Sequence, residues 1–486
     1  MREPARWLMA ALLPALAFAR GGALAAPAEP SASRGSLRVV ALLTGSPLVT
    51  RSTERDGLSR QQEGEVVRAI AARGGSRSAA AAKDGELAPF PFFPQAGVFG
   101  RDLFLNNFTD QDAAPSAVRD WDCSQYTYDG HQGHDSLIRS FREQDIGVPV
   151  FAVLPGVVVD THDGEPDHNV AWSPANRANL VVLDHGGGLT TWYLHLKTGS
   201  VAVAPGDQVS AGTQLGLTGS SGISDWPHLH FETRRDNRWV EPSSGPCRDG
   251  ETMWAAQPPV DRDFHLADLY LSRGALDIPD YESFLLDESP RAGSFLRGVQ
   301  TVGLRADLRN LPGGAVLRVQ LVDPKRRVVV DEESTLSRQD EHLALAAFEL
   351  EVDLATVGNW RLVVDLDGAR IVDAPFRVVA SGGQLGNRKP NRVTSRLAPA
   401  KPVAGQVMAC TVEASAVTED PDFDVVAYRY EWRVGSRLVR SVTSAALSDL
   451  LPADTARPGD RVTCKVTPAD AKVAGIASQS VAVVEP

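Results

Sequence analysis

From about residue 120 to residue 250 the chain is a succession of short apolar or alternating segments, each cut off by glycine, proline or aspartate. VPVFAVLPGVVVD, NLVVLDHGGGLTTWYLHL, VAPGDQVSAGTQLGLTG and HLHFETRRDNRWV carry the pattern, with PGVV, DHGGG and PGDQV as turns. Alternation sends successive side chains to opposite faces of a sheet, and the turn residues fold the segments back on one another. Such a segment predicts a compact all-β unit, a sheet curled into a sandwich or partial barrel. Gly186–Gly188 and the GSSG at 219–222 are hairpin turns and not a nucleotide loop, because no Lys-Ser/Thr follows them.

The rest of the 486 residues divides around this unit, and the length suggests about three domains. Residues 1–25 read as a signal peptide: Arg2 and Arg6, a short apolar run, then Ala23-Leu24-Ala25 as a cleavage site. The protein is therefore expected to be exported, periplasmic or extracellular, with no membrane span. Residues 27–95 form an N-terminal extension of unknown role, in which SLRVVALL has strand character and GEVVRAIAARGG reads as a helix. It is either a pro-segment over the site or a small packing extension. The β unit is placed at 96–250, a second β-sandwich at 262–380, a polar linker at 381–397 and a third β unit at 398–486. In the last, the order Cys410, Trp432, Cys464 is immunoglobulin-like, although the tyrosine expected shortly before the second cysteine is missing. The fold class is mainly β and multidomain.

An excess of 61 acidic over 49 basic side chains gives a net charge of −12, which excludes a general attraction to nucleic acid or anionic lipid. The four cysteines fit an oxidising compartment. Of three pairings, 123–247 and 410–464 keep each bridge within one domain, and without a C-x-x-C pair a zinc–thiolate site is disfavoured.

Half of the ten histidines fall in three short motifs: GHQGHD (His131, His134, Asp135), WYLHL (His195) and WPHLHF (His228, His230). On a strand, His228 and His230 share one face while Leu229 and Phe231 anchor the other. His131 and Asp135, four apart in a Gly-rich turn, can meet at one ion. Imidazole and carboxylate together are the ligand mix of catalytic zinc, which takes three protein ligands and keeps a fourth position for water.

GHQGHD followed in order by VPVFAVLPGVVV, NLVVLDHGGGLTTWYLHL, PGDQVSAGTQLGLTGSSG and WPHLHFE resembles the lysostaphin/LytM-type zinc peptidases of bacterial cell walls, over about residues 131–245. The resemblance implies an antiparallel β domain with a groove over the sheet and Zn2+ at its floor. It further implies His131, Asp135 and His230 as metal ligands, and His195 and His228 as the two catalytic histidines that do not bind metal. The implied activity is hydrolysis of peptide cross-bridges of peptidoglycan by a monomeric enzyme, through a zinc-activated water. Because the imidazoles must be neutral to bind metal, activity is expected to fall below about pH 6. Two other functions remain open: a non-catalytic regulator that binds the wall, and a zinc protease acting on proteins.

Several residues are read as peripheral. His134 belongs to the surroundings of the site or to the surface, and His185 to a turn. Tyr193 is expected on the face of His195, two positions away. THDGEPDHN (161–169) is a solvated loop edging the groove in preference to a second metal site. Asn107-Phe108-Thr109 is a glycosylation sequon that a secreted bacterial protein would leave unmodified.

Overall fold

The computed structural model describes residues 35–44, 58–72, 88–169, 175–286, 289–414 and 419–486. The signal segment at 1–25 lies outside them. The chain is mainly β, and among the described residues no helix is long and apolar enough to cross a membrane.

The segment expected to form the first β unit builds one large antiparallel sheet from β2 (Phe104–Asn107), β3 (His134–Leu137), β5 (Gly156–His162), β6 (Leu180–Gly186), β7 (Leu189–Leu194), β8 (Gln208–Val209), β10 (His228–Arg235) and β11 (Arg238–Trp239). Its order is β2-β3-β10-β7-β6-β5-β8, with β11 paired to β10. A two-stranded sheet of β4 (Pro149–Phe151) and β9 (Gln214–Leu217) packs against it. The core between them gathers Phe90, Phe93, Val150, Val181, Tyr193, Leu229 and Phe231. Leu229 and Phe231 are therefore the inward positions of the His-Leu-His-Phe alternation, and the two histidines occupy the opposite face.

The extension at 27–95 does not stay together as one unit. Its strand β1 (Gly35–Thr44) pairs antiparallel with Glu341–Leu354 and becomes the edge of a four-stranded sheet completed by Gly298–Leu311 and His265–Arg273. That sheet faces a five-stranded one, in which Val316–Val322 alternates buried and half-buried residues at every position. Its helix α1 (Arg60–Ala72) goes elsewhere, onto the large sheet, with Val66 and Ile70 in one cluster with Trp192 and Leu194.

The C-terminal unit consists of a three-stranded and a four-stranded antiparallel sheet. Its first strand, Thr394–Ala398, starts inside the segment read as a linker. Cys410 and Cys464 are bonded across the two sheets, and Trp432, fully buried, stands beside Cys464 in the register. Cys123 and Cys247 form the second disulfide, bracketing the site-bearing unit as expected. The C-terminal unit is fastened to that unit by Leu447 N donating to Asp102 Oδ2 at 2.6 Å and by an Arg139–Glu419 ion pair of 3.2 Å.

Candidate metal centre

β10 sits between β3 and β7, and its register places His230 directly opposite Asp135 on one side and Leu194 on the other. His131 arrives from the turn before β3. The structure thus brings residues 131, 135 and 230 to one point, with one ligand atom from each within 4.8 Å of the others. His131 Nε2 lies 3.2 Å from His230 Nδ1 and 3.1 Å from Asp135 Oδ2, and His230 Nδ1 lies 2.8 Å from Asp135 Oδ1. Gly133 permits this approach, since a Cβ there would stand 2.6 Å from the Phe231 carbonyl oxygen and 2.9 Å from His230 Nε2.

The nitrogens turned away from this point are held. His131 Nδ1 donates to the Phe108 carbonyl at 2.7 Å, and His230 Nε2 donates to Glu232 Oε1 at 3.2 Å. Asp135 Oδ2 accepts from Asn107 Nδ2 at 2.9 Å. A ligand histidine that gives its other N–H to a carbonyl or carboxylate has its ring orientation and tautomer set in advance, which is the outer support metal sites use. The donor set of two imidazoles and a carboxylate fits zinc.

Electrostatics follow from this crowding. Burial opposes ionisation of Asp135, but the neighbouring His131 and His230 outweigh it and hold the carboxyl well below its ordinary value. Burial likewise disfavours protonated His230, yet Asp135 and Glu232 raise it to about 10. Glu232 is brought down to about 2, burial being overcome by Arg234 and His230.

His195 and His228 stand beside the trio, their ring centroids 4.6 Å apart, and the His195 ring is 5.9 Å from that of His230. His195 Nδ1 donates to the Ser221 carbonyl at 2.7 Å, and His228 Nδ1 to the Trp226 carbonyl at 2.8 Å. In both rings the basic nitrogen is then Nε2. Burial, reinforced by the two neighbouring imidazoles, keeps His195 well below the usual histidine range, so it is neutral. His228 Nε2 has no hydrogen-bond partner among the described residues, and Asp135 Oδ1 lies 3.7 Å from it.

One sequence expectation is corrected. Tyr193 does not share a face with His195: its ring packs on Phe231 in the core and its hydroxyl accepts from Val153 N at 3.1 Å. The alternation breaks because His195 adopts a left-handed φ of 59°. Of the two places read for His134, the structure excludes the surface: it is fully buried with Nε2 2.8 Å from Glu241. In the 161–169 loop, read from the sequence as a loop in preference to a metal site, two of the acids are tied to the main chain. Asp163 accepts from Gly199 N and Val201 N, and Asp167 from Thr198 N and Ser220 N, lacing the loop to its neighbours.

Asn107, Glu232 and Arg234 are not singled out by sequence. For Glu232 and Arg234 a signal exists, because continuing the alternation from His230 puts both on the metal face. For Asn107 there is none beyond a sequon, and its side chain is buried against Asp135.

Residues 132–242 match the model of Peptidase family M23, and this unit is a lysostaphin/LytM-type peptidase domain. Over 87 residues the chain is 40% identical to the peptidoglycan DD-endopeptidase ShyA of Vibrio cholerae, covering 18% of this chain and 17% of that one. Over 89 residues it is 36% identical to lysostaphin of Staphylococcus simulans, covering 18% of this chain and 16% of that one. A zinc-containing peptidase from Vibrio cholerae of known structure is 22% identical over 35% of this chain and 45% of its own, with a TM-score of 0.24. The match thus spans less than a fifth of the length of the two curated relatives.

Proposed function

We propose that this chain is a secreted zinc-dependent endopeptidase that hydrolyses peptide cross-bridges of bacterial peptidoglycan. The observation that carries the reading is the convergence of His131 Nε2, Asp135 and His230 Nδ1 at one point, with two further histidines alongside. The names of the relatives point to wall peptides as the substrate class.

When bound, zinc lowers the pKa of a water and polarises the scissile carbonyl. His131, Asp135 and His230 hold the ion, with Phe108 and Glu232 fixing the two rings. His195 and His228 turn their Nε2 atoms toward the reacting groups. One takes the proton of the attacking water, and once protonated it can return that proton to the leaving amine. The neutral state of His195 is what a base in this position requires. Whichever ring has taken that proton carries an Nε2–H that can donate to the developing oxyanion before the leaving amine receives it.

The test is His230→Ala and Asp135→Ala in the full-length protein, with metal content and peptide release from purified peptidoglycan measured together. Both variants are expected to lose bound zinc and all release. Release by His230→Ala at a rate near the parent's would overturn the reading.

A further inference from the structure

The metal face of the large sheet continues past the histidines onto β3 and β2, and register defines it. His228 lies opposite Leu137, and Leu137 lies opposite Phe104. Directly paired residues share a face, so Phe104 and Leu137 extend the row that starts at His228. This bank is roofed from another domain, since Leu137 and Trp226 belong to one core cluster with Leu304 and Leu308 of the sandwich. From the strand Gly298–Leu311, Arg309 reaches over the row. Its guanidinium carbon stands 5.3 Å from the centre of the Phe104 ring and 5.6 Å from that of Trp226. Trp226 is the residue whose carbonyl holds His228 Nδ1 at 2.8 Å, so Arg309 is one side chain away from a reacting histidine.

The charges around Arg309 are paired with one another and not with it. Glu143, Asp268 and Asp307 are the carboxylates that act on it through their charge, and each is held by an arginine of its own. Arg139 Nε donates to Glu143, Arg291 Nη2 to Asp268, and Arg305 Nε to Asp307 at 2.9 Å. Arg309 gives Nη1 to the Leu308 carbonyl at 3.2 Å, while Nε and Nη2 have no hydrogen-bond partner among the described residues. It is 2% exposed, and burial brings its pKa down to about 10, so it is charged at neutral pH. A buried guanidinium with two unmatched N–H groups is costly. Nε and Nη2 form the edge that receives both oxygens of one carboxylate.

We infer that Arg309 is a substrate-binding residue contributed by the sandwich, its Nε–Nη2 edge receiving a carboxylate of the peptide being cut, on the His228 side of the scissile bond. The inference rests on the hydrolase reading above and narrows its substrate to peptides with a free carboxyl group close to that bond, as opposed to neutral bridges. The five site residues are at most 1% exposed, so a peptide that gains them comes as deep as Arg309. The apolar walls of Phe104, Leu137 and Trp226 keep water from the pair and so strengthen it. The sandwich, which holds none of the five site residues, thereby supplies an anchor that sets the bond over the metal centre.

The test uses full-length protein and purified peptidoglycan in two forms, one with its free carboxyl groups intact and one with them converted to amides by carbodiimide and ammonia. For the parent, R309M and R309K, binding is measured by sedimentation on ice, and KM and kcat from peptide release. Salt is held at about 0.3 M, where exposed charges are screened. The parent is expected to favour the intact wall by about tenfold or more in binding and in KM, because the bonds lost are charge-assisted. R309M, which keeps an unbranched chain and loses the charge, is expected to bind both walls alike. R309K, which keeps the charge without the fork, is expected to retain part of the preference. Equal binding of the two walls by the parent would overturn the inference without any variant, as would a full preference in R309M. A preference in the parent that R309M loses, with no release from either wall, would uphold the carboxylate site and count against the hydrolase reading.

Discussion

His230 and Glu232 stand on the same face of one strand, and the Nε2–H of the imidazole donates to the carboxylate at 3.2 Å while Nδ1 faces the metal centre. The strand thus carries a ligand and its support two residues apart, with Arg234 neutralising the support from the next position on that face. Removing Glu232 should free the ring to rotate and leave Arg234 to its remaining partners, Glu63 and Gln132. Glu232→Ala is expected to weaken zinc binding by about 10- to 100-fold, measured by competition with a chromophoric chelator. Unchanged affinity would mean that the ring is held by packing alone.

Asn107 reaches the same centre from β2, donating to Asp135 Oδ2 from a buried position. Asn107→Ala deletes a buried hydrogen bond to a charged group, and a stability loss of about 1.5–3 kcal/mol is expected in urea titration of the protein. Glycan attachment at this sequon would require the side chain to leave the core, so mass spectrometry of protein made in a glycosylating host should find Asn107 unmodified.

His185 gives a pH dependence whose sign can be worked out. Burial depresses it from 6.5 to about 4, and it is held by Pro155 and Thr191 on the core side. Above 6.5 both folded and unfolded states carry it neutral and its contribution is fully present. As the pH falls below 6.5 only the unfolded state takes up the proton, and the loss is complete below about 4. The shift corresponds to about 3 kcal/mol. His185→Gln should show a smaller fall in unfolding free energy between pH 7 and pH 4 than the parent. Equal falls would remove His185 from the account.

The Cys123–Cys247 disulfide, with a sequence separation of 124, closes a loop that holds every strand of the metal-bearing sheet except β2. On the loop-entropy account, a closure of that length stabilises by about 4–5 kcal/mol. The Cys123→Ser/Cys247→Ser pair should lower the midpoint of the peptidase unit's unfolding while leaving that of the C-terminal unit in place. Coincident loss of both would mean that the units unfold together.

Much of the site is legible in the sequence because its residues obey a local rule. His228, Leu229, His230 and Phe231 alternate on a strand, and the structure has them alternate. Tyr193 shows where that rule stops, since one left-handed residue at His195 ends the alternation between them. The burial of His134 escapes the same rule, because alternation says which face a side chain takes but not what covers it, and Glu241 lies 107 residues away. The strand and helix of the extension are visible in their own periodicity. Their destinations are not, because a partner such as Glu341–Leu354 lies about three hundred residues downstream and leaves no local trace.

That distant pairing changes what it means to separate these units. Gly35–Thr44 belongs to the sandwich, and the entire peptidase unit is threaded between that strand and the rest of its sheet. The metal-bearing unit is an insertion inside another domain and not a bead at the head of a string. A protease that nicks the chain between the peptidase unit and His265 would leave the fragments paired through β1, migrating together until denaturant pulls the strand out. A shortened chain beginning after residue 95 would instead bare the edge of Glu341–Leu354, an open template for pairing with another chain.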